Sequence, residues 1–62
     1  MRKTTVQGVE YEVWGDFFAR ATFAKNVVTG EIKRISSSGY ISNDLTVRKA
    51  IAVFFNHVSF RK

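Results

Sequence analysis

Few residues in this chain have side chains that could carry out catalysis. His57 is the only histidine, there is no cysteine, and the five acidic residues are scattered. Because a metal site needs three or four clustered ligands, we expect no metal and no cofactor. The serines at 36–38 precede Gly39, but no phosphate-loop lysine or neighbouring base accompanies them, so we interpret them as a strand end. We therefore predict a protein that is not an enzyme, with His57 in a structural role.

The basic residues are more informative than the catalytic types. Ten Lys and Arg against five acidic residues give a net charge of +5. A basic surface favours anionic partners, first nucleic acid and then an acidic protein or membrane surface. Arginine on a β-ribbon or small sheet can contact phosphate or guanine in the major groove of DNA. Six candidate nucleic-acid-binding residues lie on one predicted hairpin: Arg20, Thr22, Lys25, Lys33, Arg34 and Ser36.

The scaffold for these residues is a single small domain, since the chain has only 62 residues. Period-2 alternation predicts a first strand over residues 4–13, and Gly15 and Asp16 supply a turn at 14–16. A second strand over 17–25, a loop at 26–30 and a third strand over 31–37 follow. The alternative is a helix over 17–25 that begins at Asp16, because its three alanines favour helix.

A helix is predicted over residues 44–57. Ser42, Asn43 and Asp44 are good N-cap residues. Apolar residues recur at spacings of four, three and four, and we expect this stripe to pack on the sheet: Val47, Ile51, Phe54 and Val58. The predicted fold class is α+β, a three-stranded antiparallel β-meander followed by one C-terminal helix packed on one face (β-β-β-α).

Burial predicts which residues face away from the helix. A three-residue loop at 14–16 pairs Val13 with Phe17, whereas a two-residue loop would bury Glu10 and Glu12. In the three-residue register Glu10 stands opposite Arg20. The outer face then displays Phe18, Arg20, Thr22, Arg34 and Ser36.

Three segments resemble a known DNA-binding domain: GDFFARATFAKN, TGEIKR and SGY, at residues 15–26, 29–34 and 38–40. Over residues 14–54 the chain resembles the N-terminal arm-binding domain of phage and transposon tyrosine recombinases. It is also similar to the related plant ethylene-response-factor domain. The resemblance implies three strands followed by a helix, with the sheet in the DNA major groove. The first strand differs, since those families carry basic residues where this chain has Glu10 and Glu12.

These observations predict a small DNA-binding regulatory or accessory protein, of the kind phages encode, that binds double-stranded DNA through the basic face of its sheet. The alternative is a small phage-type interaction module or inhibitor that binds an acidic host protein surface through Phe18, Arg20 and Arg34. RNA is a third hypothesis, because Arg48 and Lys49 near the start of a β-β-β-α helix resemble double-stranded RNA binders.

The remaining expectations concern assembly and location. Nine aromatic residues in so short a chain leave apolar surface that a homodimer would use. No apolar run approaches the roughly 20 residues of a membrane span, so we expect no membrane partner. The expected location is the cytoplasm, which is the host cytoplasm if a phage encodes the protein.

Overall fold

The computed structural model describes residues 2–57. It contains four strands and a helix: β1 (Arg2–Val6), β2 (Val9–Asp16), β3 (Ala21–Asn26), β4 (Ile32–Ser36) and α1 (Asp44–Phe54). The strands form one antiparallel meander in the order β1-β2-β3-β4. The predicted class, an antiparallel sheet with one C-terminal helix, is confirmed. The predicted number of three strands is wrong.

The additional strand arises because residues 4–13, predicted as one strand, fold back at Gln7 and Gly8. Both residues have a left-handed backbone, with φ of 52° and 80°, as a two-residue type I′ hairpin requires. Val6 and Val9 pair directly across this turn. The sequence indicated a possible strand end at Gly8. It did not indicate a turn residue at Gln7, because glutamine rarely adopts positive φ.

The β2–β3 turn spans residues 17–20 instead of the predicted 14–16. Asp16 begins it, since its Oδ1 accepts hydrogen bonds from the backbone N–H groups of Phe18 and Ala19 at 2.9 and 3.1 Å. Arg20 ends it with a left-handed backbone, φ 51°. The aspartate cap therefore allows β2 to continue through Trp14.

The β3–β4 turn repeats this design at residues 27–30. The Oδ1 of Asn26 accepts hydrogen bonds from the N–H groups of Val28 and Thr29 at 2.9 and 3.1 Å. Gly30, four positions after Asn26, has φ 80°. The two turns thus share the side-chain cap and a left-handed fourth residue, which is Arg20 in one and Gly30 in the other. Their backbone hydrogen bonds differ, since the N–H of Gly30 donates to the carbonyl of Asn26 and that of Arg20 to the carbonyl of Phe17.

The later β2–β3 turn changes the pairing of these strands. Val13 pairs with Ala24 and Trp14 with Phe23, whereas the sequence predicted Val13 opposite Phe17. Because a shift by one residue exchanges the two faces of a strand, β3 is turned over relative to the prediction. Ala24 is buried under the helix, and Phe23 lies on the uncovered side.

A β-bulge in β4 decides which of its residues are covered. Thr22 pairs with Ser36 and Phe23 with Arg34, so Ile35 is the extra residue. Ile35 and Thr22 are both buried, and Ser36 is half-buried. The predicted outward placement of Thr22 and Ser36 is therefore wrong, whereas Arg34 does lie on the uncovered side.

The core lies between α1 and the covered face of the sheet. Val47 and Ile51 are buried, as the helical spacing predicted. Phe54 is 46% exposed, however, and its neighbour Phe55 packs against the core instead, with its ring 4.9 Å from that of Tyr11. The helix ends at Phe54 rather than at 57, and Val58 lies outside the described residues. Together the buried core residues are Val6, Tyr11, Val13, Ala24, Ile35, Val47, Ile51 and Ala52.

Polar contacts hold the start of α1 against β1. Asn43 is the N-cap, and its side chain accepts a hydrogen bond from the backbone N–H three residues later. The hydroxyl of Thr4 donates to Asp44 Oδ1 at 3.1 Å. Arg2 Nη1 donates to the carbonyl of Ser42 at 2.6 Å. Residues about 40 positions apart in the chain are thereby joined.

A second set of contacts holds the end of α1. The hydroxyl of Tyr11 lies 2.6 Å from His57 Nε2, and His57 Nδ1 lies 3.1 Å from Gln7 Oε1. Since the Gln7 oxygen only accepts, we assign Nδ1 as the donor and Nε2 as the acceptor from Tyr11. Burial, and then the negative charge of Glu31, raise the pKa of Tyr11 above its ordinary value. His57 thus has the structural role that was expected.

Candidate functional site

The open face is the side of the sheet opposite α1. Trp14 on β2, Phe23 on β3 and Arg34 on β4 are direct neighbours across three strands. We refer to these three residues as the aromatic row. The rings of Trp14 and Phe23 stack with their centroids 5.9 Å apart and an interplanar angle of 26°. Both aromatic residues are half-buried, and Arg34 is exposed.

Charged residues fill three of the four positions in the next row of the open face, and Ile32 on β4 is the fourth. Lys3, Glu12 and Lys25 are paired in this order across β1, β2 and β3. Lys3 Nζ also lies 3.9 Å from Glu10 Oε2 in an exposed ion pair, a kind of contact that contributes little to stability. Cations and carboxylates therefore alternate on this face, and together with Arg34 they leave it only weakly positive.

The structure separates the residues predicted to bind nucleic acid. Lys25 and Arg34 share the open face. Arg20 is exposed but lies in the β2–β3 turn. Lys33 lies on the helix side, where its Nζ is 5.6 Å from the ring centroid of Phe55 and 3.7 Å from Glu31 Oε2. Of the two cations predicted on the outer face, Arg34 does lie on the open face and Arg20 does not.

Thr22 and Ser36 also lie away from the open face. Thr22 is 1% exposed, and its hydroxyl donates to the carbonyl of Ser38 at 2.6 Å. Ser36 lines a cleft of about 100 Å³ between β4 and the start of α1, together with Thr22, Ser42 and Thr46. Neither hydroxyl is placed to contact a partner on the open face.

A second surface lies at the end of the β2–β3 hairpin. Phe17 is 63% exposed, Phe18 101% and Tyr40 72%. The rings of Phe17 and Tyr40 meet edge to face with centroids 4.8 Å apart, and Arg20 closes the same turn. We refer to Phe17, Phe18, Arg20 and Tyr40 as the aromatic tip. Of the three residues predicted to bind a protein partner, it contains Phe18 and Arg20 but not Arg34.

Two glycines hold the Tyr40 loop against the sheet. A Cβ added to Gly15 would lie 2.0 Å from the carbonyl oxygen of Gly39. A Cβ on Gly39 would lie 2.9 Å from the carbonyl oxygen of Asp16 and 3.0 Å from Cα of Phe17. Both positions therefore need the absence of a side chain, which lets Tyr40 reach Phe17.

The sequence contained signals for both surfaces that the prediction did not use. Trp14 has the same strand parity as Glu10 and Glu12, so continuing β2 past residue 13 would have placed its ring on the open face. Asp16 and Asn26 each cap the four-residue turn that follows, in the segments DFFAR and NVVTG. Aligning these two segments would have identified the turn at 17–20.

Neither a metal site nor a membrane span is found in the part of the chain that the structure describes. Among residues 2–57, no three potential ligands of the His, Cys, Asp or Glu types cluster. No helix within this range is both long and apolar enough to cross a membrane. The candidate binding surfaces within this range are thus the aromatic row and the aromatic tip.

Comparison of the chain with models of protein families, with curated proteins and with solved structures finds no match. The function is therefore argued from these two surfaces.

Proposed function

We propose that this protein binds single-stranded nucleic acid on its open face. The observation that carries the proposal is the aromatic row, in which Trp14, Phe23 and Arg34 are neighbours on three adjacent strands. Aromatic rings and guanidinium planes stack on unpaired bases, and each such contact contributes about 1–3 kcal/mol. A four-stranded sheet with aromatic residues on its central strands is also how a common RNA-binding domain presents its stacking residues.

The residues around the aromatic row suit a nucleotide backbone. The distance from β2 to β4 is about 10 Å, two strand spacings, which is room for two or three bases. Lys25 follows two residues after Phe23 on the same face, where its ammonium group can reach a phosphate. In this arrangement Trp14 and Phe23 take bases, Arg34 takes a base or a phosphate, and Lys25 anchors the backbone.

A single strand fits this face better than the duplex that the sequence predicted. Duplex binding depends on many phosphate contacts made by Lys and Arg. Arg20 and Lys33 lie elsewhere, and Glu10 and Glu12 share the face with the remaining cations. A single strand needs fewer phosphate contacts, because its exposed bases contribute stacking. Duplex DNA remains the alternative hypothesis, with the same regulatory or accessory role.

The test is a titration of labelled ten-nucleotide oligo(dT) and oligo(rU), and of a mixed-sequence duplex, by fluorescence anisotropy at two salt concentrations. We expect a single strand to bind more tightly than the duplex. Two or three phosphate contacts should give a slope of log K against log salt of about −1.4 to −2.1, from roughly −0.7 per phosphate. Trp14 is the only tryptophan, so quenching of its fluorescence would report stacking directly.

Three variants assign the binding to the aromatic row. Trp14→Ala should weaken binding roughly 5- to 150-fold, since it removes one stacking contact. Glu12→Gln should strengthen binding by removing a carboxylate from the face. Phe54→Ala is the matched control, because this exposed ring lies on α1. Tighter binding of the duplex would instead support duplex DNA as the ligand. No binding below about 100 μM at low salt would exclude both the single strand and the duplex.

A further inference from the structure

The aromatic tip has no part in the proposed nucleic-acid site. Its three rings expose roughly 350–600 Å² of surface, if a full aromatic side chain has about 150–250 Å². The largest apolar patch on a typical monomer has about this area and is often functional. Phe18 is 101% exposed, so its ring contributes no packing to the fold. A different explanation is needed for its position.

The backbone of the tip supplies a second, independent observation. The turns at 17–20 and 27–30 share the side-chain cap and a left-handed fourth residue, which is Gly30 in one and Arg20 in the other. This conformation is unfavourable for arginine and unrestricted for glycine. Residues other than glycine that are held in this conformation cluster at active sites, ligand clamps and switch regions. The tip therefore retains an arginine at a position where glycine would fold more easily.

We propose that the aromatic tip is a docking site for a second protein, whose complementary surface is an apolar pocket bordered by carboxylates. Phe18 inserts into the pocket, Phe17 and Tyr40 lie against its walls, and Arg20 pairs with the carboxylates. Exposed aromatic residues beside an arginine are the composition of an interface hot spot. The cap that Asp16 provides fixes the turn before binding, so little ordering is required.

Charge favours a foreign partner over a second copy of this chain. The chain carries a net charge of +5, so two copies repel each other, and a two-fold contact would bring their Arg20 side chains together. An acidic partner with its own pocket removes both repulsions.

The experiment begins with a photo-cross-linking amino acid placed at position 18 of the full chain. The matched control carries it at position 28, since Val28 is the second residue of the equivalent turn and is 83% exposed. Both proteins are exposed to a lysate of the cells in which the chain is naturally made. A protein that cross-links at 18 but not at 28 is then purified and titrated with the wild-type chain by calorimetry.

We expect a one-to-one complex that Phe18→Ser and Arg20→Gly each weaken at least tenfold. Val28→Ser should leave its affinity unchanged. Arg20→Gly is the decisive variant, because glycine adopts the left-handed conformation of position 20 without strain. Loss of binding on this substitution therefore reports the lost side chain and not an unfolded turn.

Several outcomes would overturn the proposal. One is the absence of any selective cross-link at position 18. Another is a purified complex whose affinity does not change with Arg20→Gly. A third is a chain that dimerises in sedimentation experiments and becomes monomeric when Phe18 is replaced. Phe18-dependent binding to vesicles of phosphatidylglycerol would assign the tip to membranes instead. The oligonucleotide titration distinguishes this proposal from the proposed function of the open face. Phe18→Ser should leave the affinity for the oligonucleotide unchanged, and Trp14→Ala should leave the affinity for the protein partner unchanged.

Discussion

Replacing Gly15 by alanine should separate the Tyr40 loop from the sheet. The added Cβ would lie 2.0 Å from the carbonyl oxygen of Gly39 and 3.0 Å from its carbonyl carbon. Cβ contacts below 3.0 Å essentially do not occur, so the loop backbone must move by about 1 Å. Neither partner can rotate away, because both contacts involve backbone atoms. The displacement would also stretch the hydrogen bond from Thr22 to the carbonyl of Ser38.

The cost can be estimated from these contacts. Overpacking at a close contact costs about 1–3 kcal/mol, and the weakened hydrogen bond adds about 0.5–1.5 kcal/mol. Removing a glycine from a strand returns less than about 1 kcal/mol. The net loss, centred on about 2 kcal/mol, is a large part of the roughly 3–9 kcal/mol expected for a domain of this size. The melting temperature should therefore fall by roughly 10–20 °C.

Thermal denaturation followed by circular dichroism measures this loss, and ¹H–¹⁵N correlation spectra locate the displacement at Gly39 and Tyr40. Gly30→Ala is the control. Its Cβ would meet nothing within 4 Å, but its φ is 80°, so it should cost only about 1 kcal/mol of backbone strain and change the 27–30 turn alone. A Gly15→Ala protein that melts within 2 °C of the wild type, with unchanged Tyr40 resonances, would refute the placement of the loop on β2.

Two further predictions concern the core. Phe55→Ala should lower the free energy of unfolding by about 2–4 kcal/mol, because the Phe55 ring packs on Tyr11. Phe54→Ala should lower it by less than about 1 kcal/mol, because that ring is exposed. Equal losses of the two variants in urea denaturation would contradict the assigned rotation of α1. The pKa of Tyr11 is raised in the folded state. The contribution of the protonated Tyr11 hydroxyl to the free energy of unfolding should therefore be complete below about pH 10 and fall as the pH rises further. Urea titrations at pH 8 and above 10 should show this loss in the wild type and a smaller one in Tyr11→Phe.

The helix and the fold class were predictable because their signals are local. Asn43 caps the helix as its residue type indicated, and Val47 and Ile51 follow the expected spacing into the core. Phe54 and Phe55 are adjacent and equally apolar, so spacing alone did not decide between them. That choice depends on where Tyr11 lies, which is a property of the sheet and not of the helix.

The sheet was harder to predict because each turn sets the register of everything after it. Glutamine at position 7 concealed the first hairpin, and the cap at Asp16 moved the second turn from 14–16 to 17–20. Because β3 is turned over relative to the prediction, Thr22 is buried and the half-buried Phe23 lies on the open face. Only Lys25 and Arg34 of the predicted nucleic-acid set then shared a face, although the residue types were those that such a site would use.

The order of the strands has a consequence for solubility. β1 and β4 are the edges of the sheet, and each leaves one side of its backbone unpaired, which is a template for fibril growth. Each edge also carries two adjacent cations, Arg2 with Lys3 and Lys33 with Arg34. Edge-to-edge stacking of two molecules would bring these like charges together, and that repulsion opposes it. This protection is electrostatic, so it weakens as salt shortens the screening length to about 3 Å at 1 M.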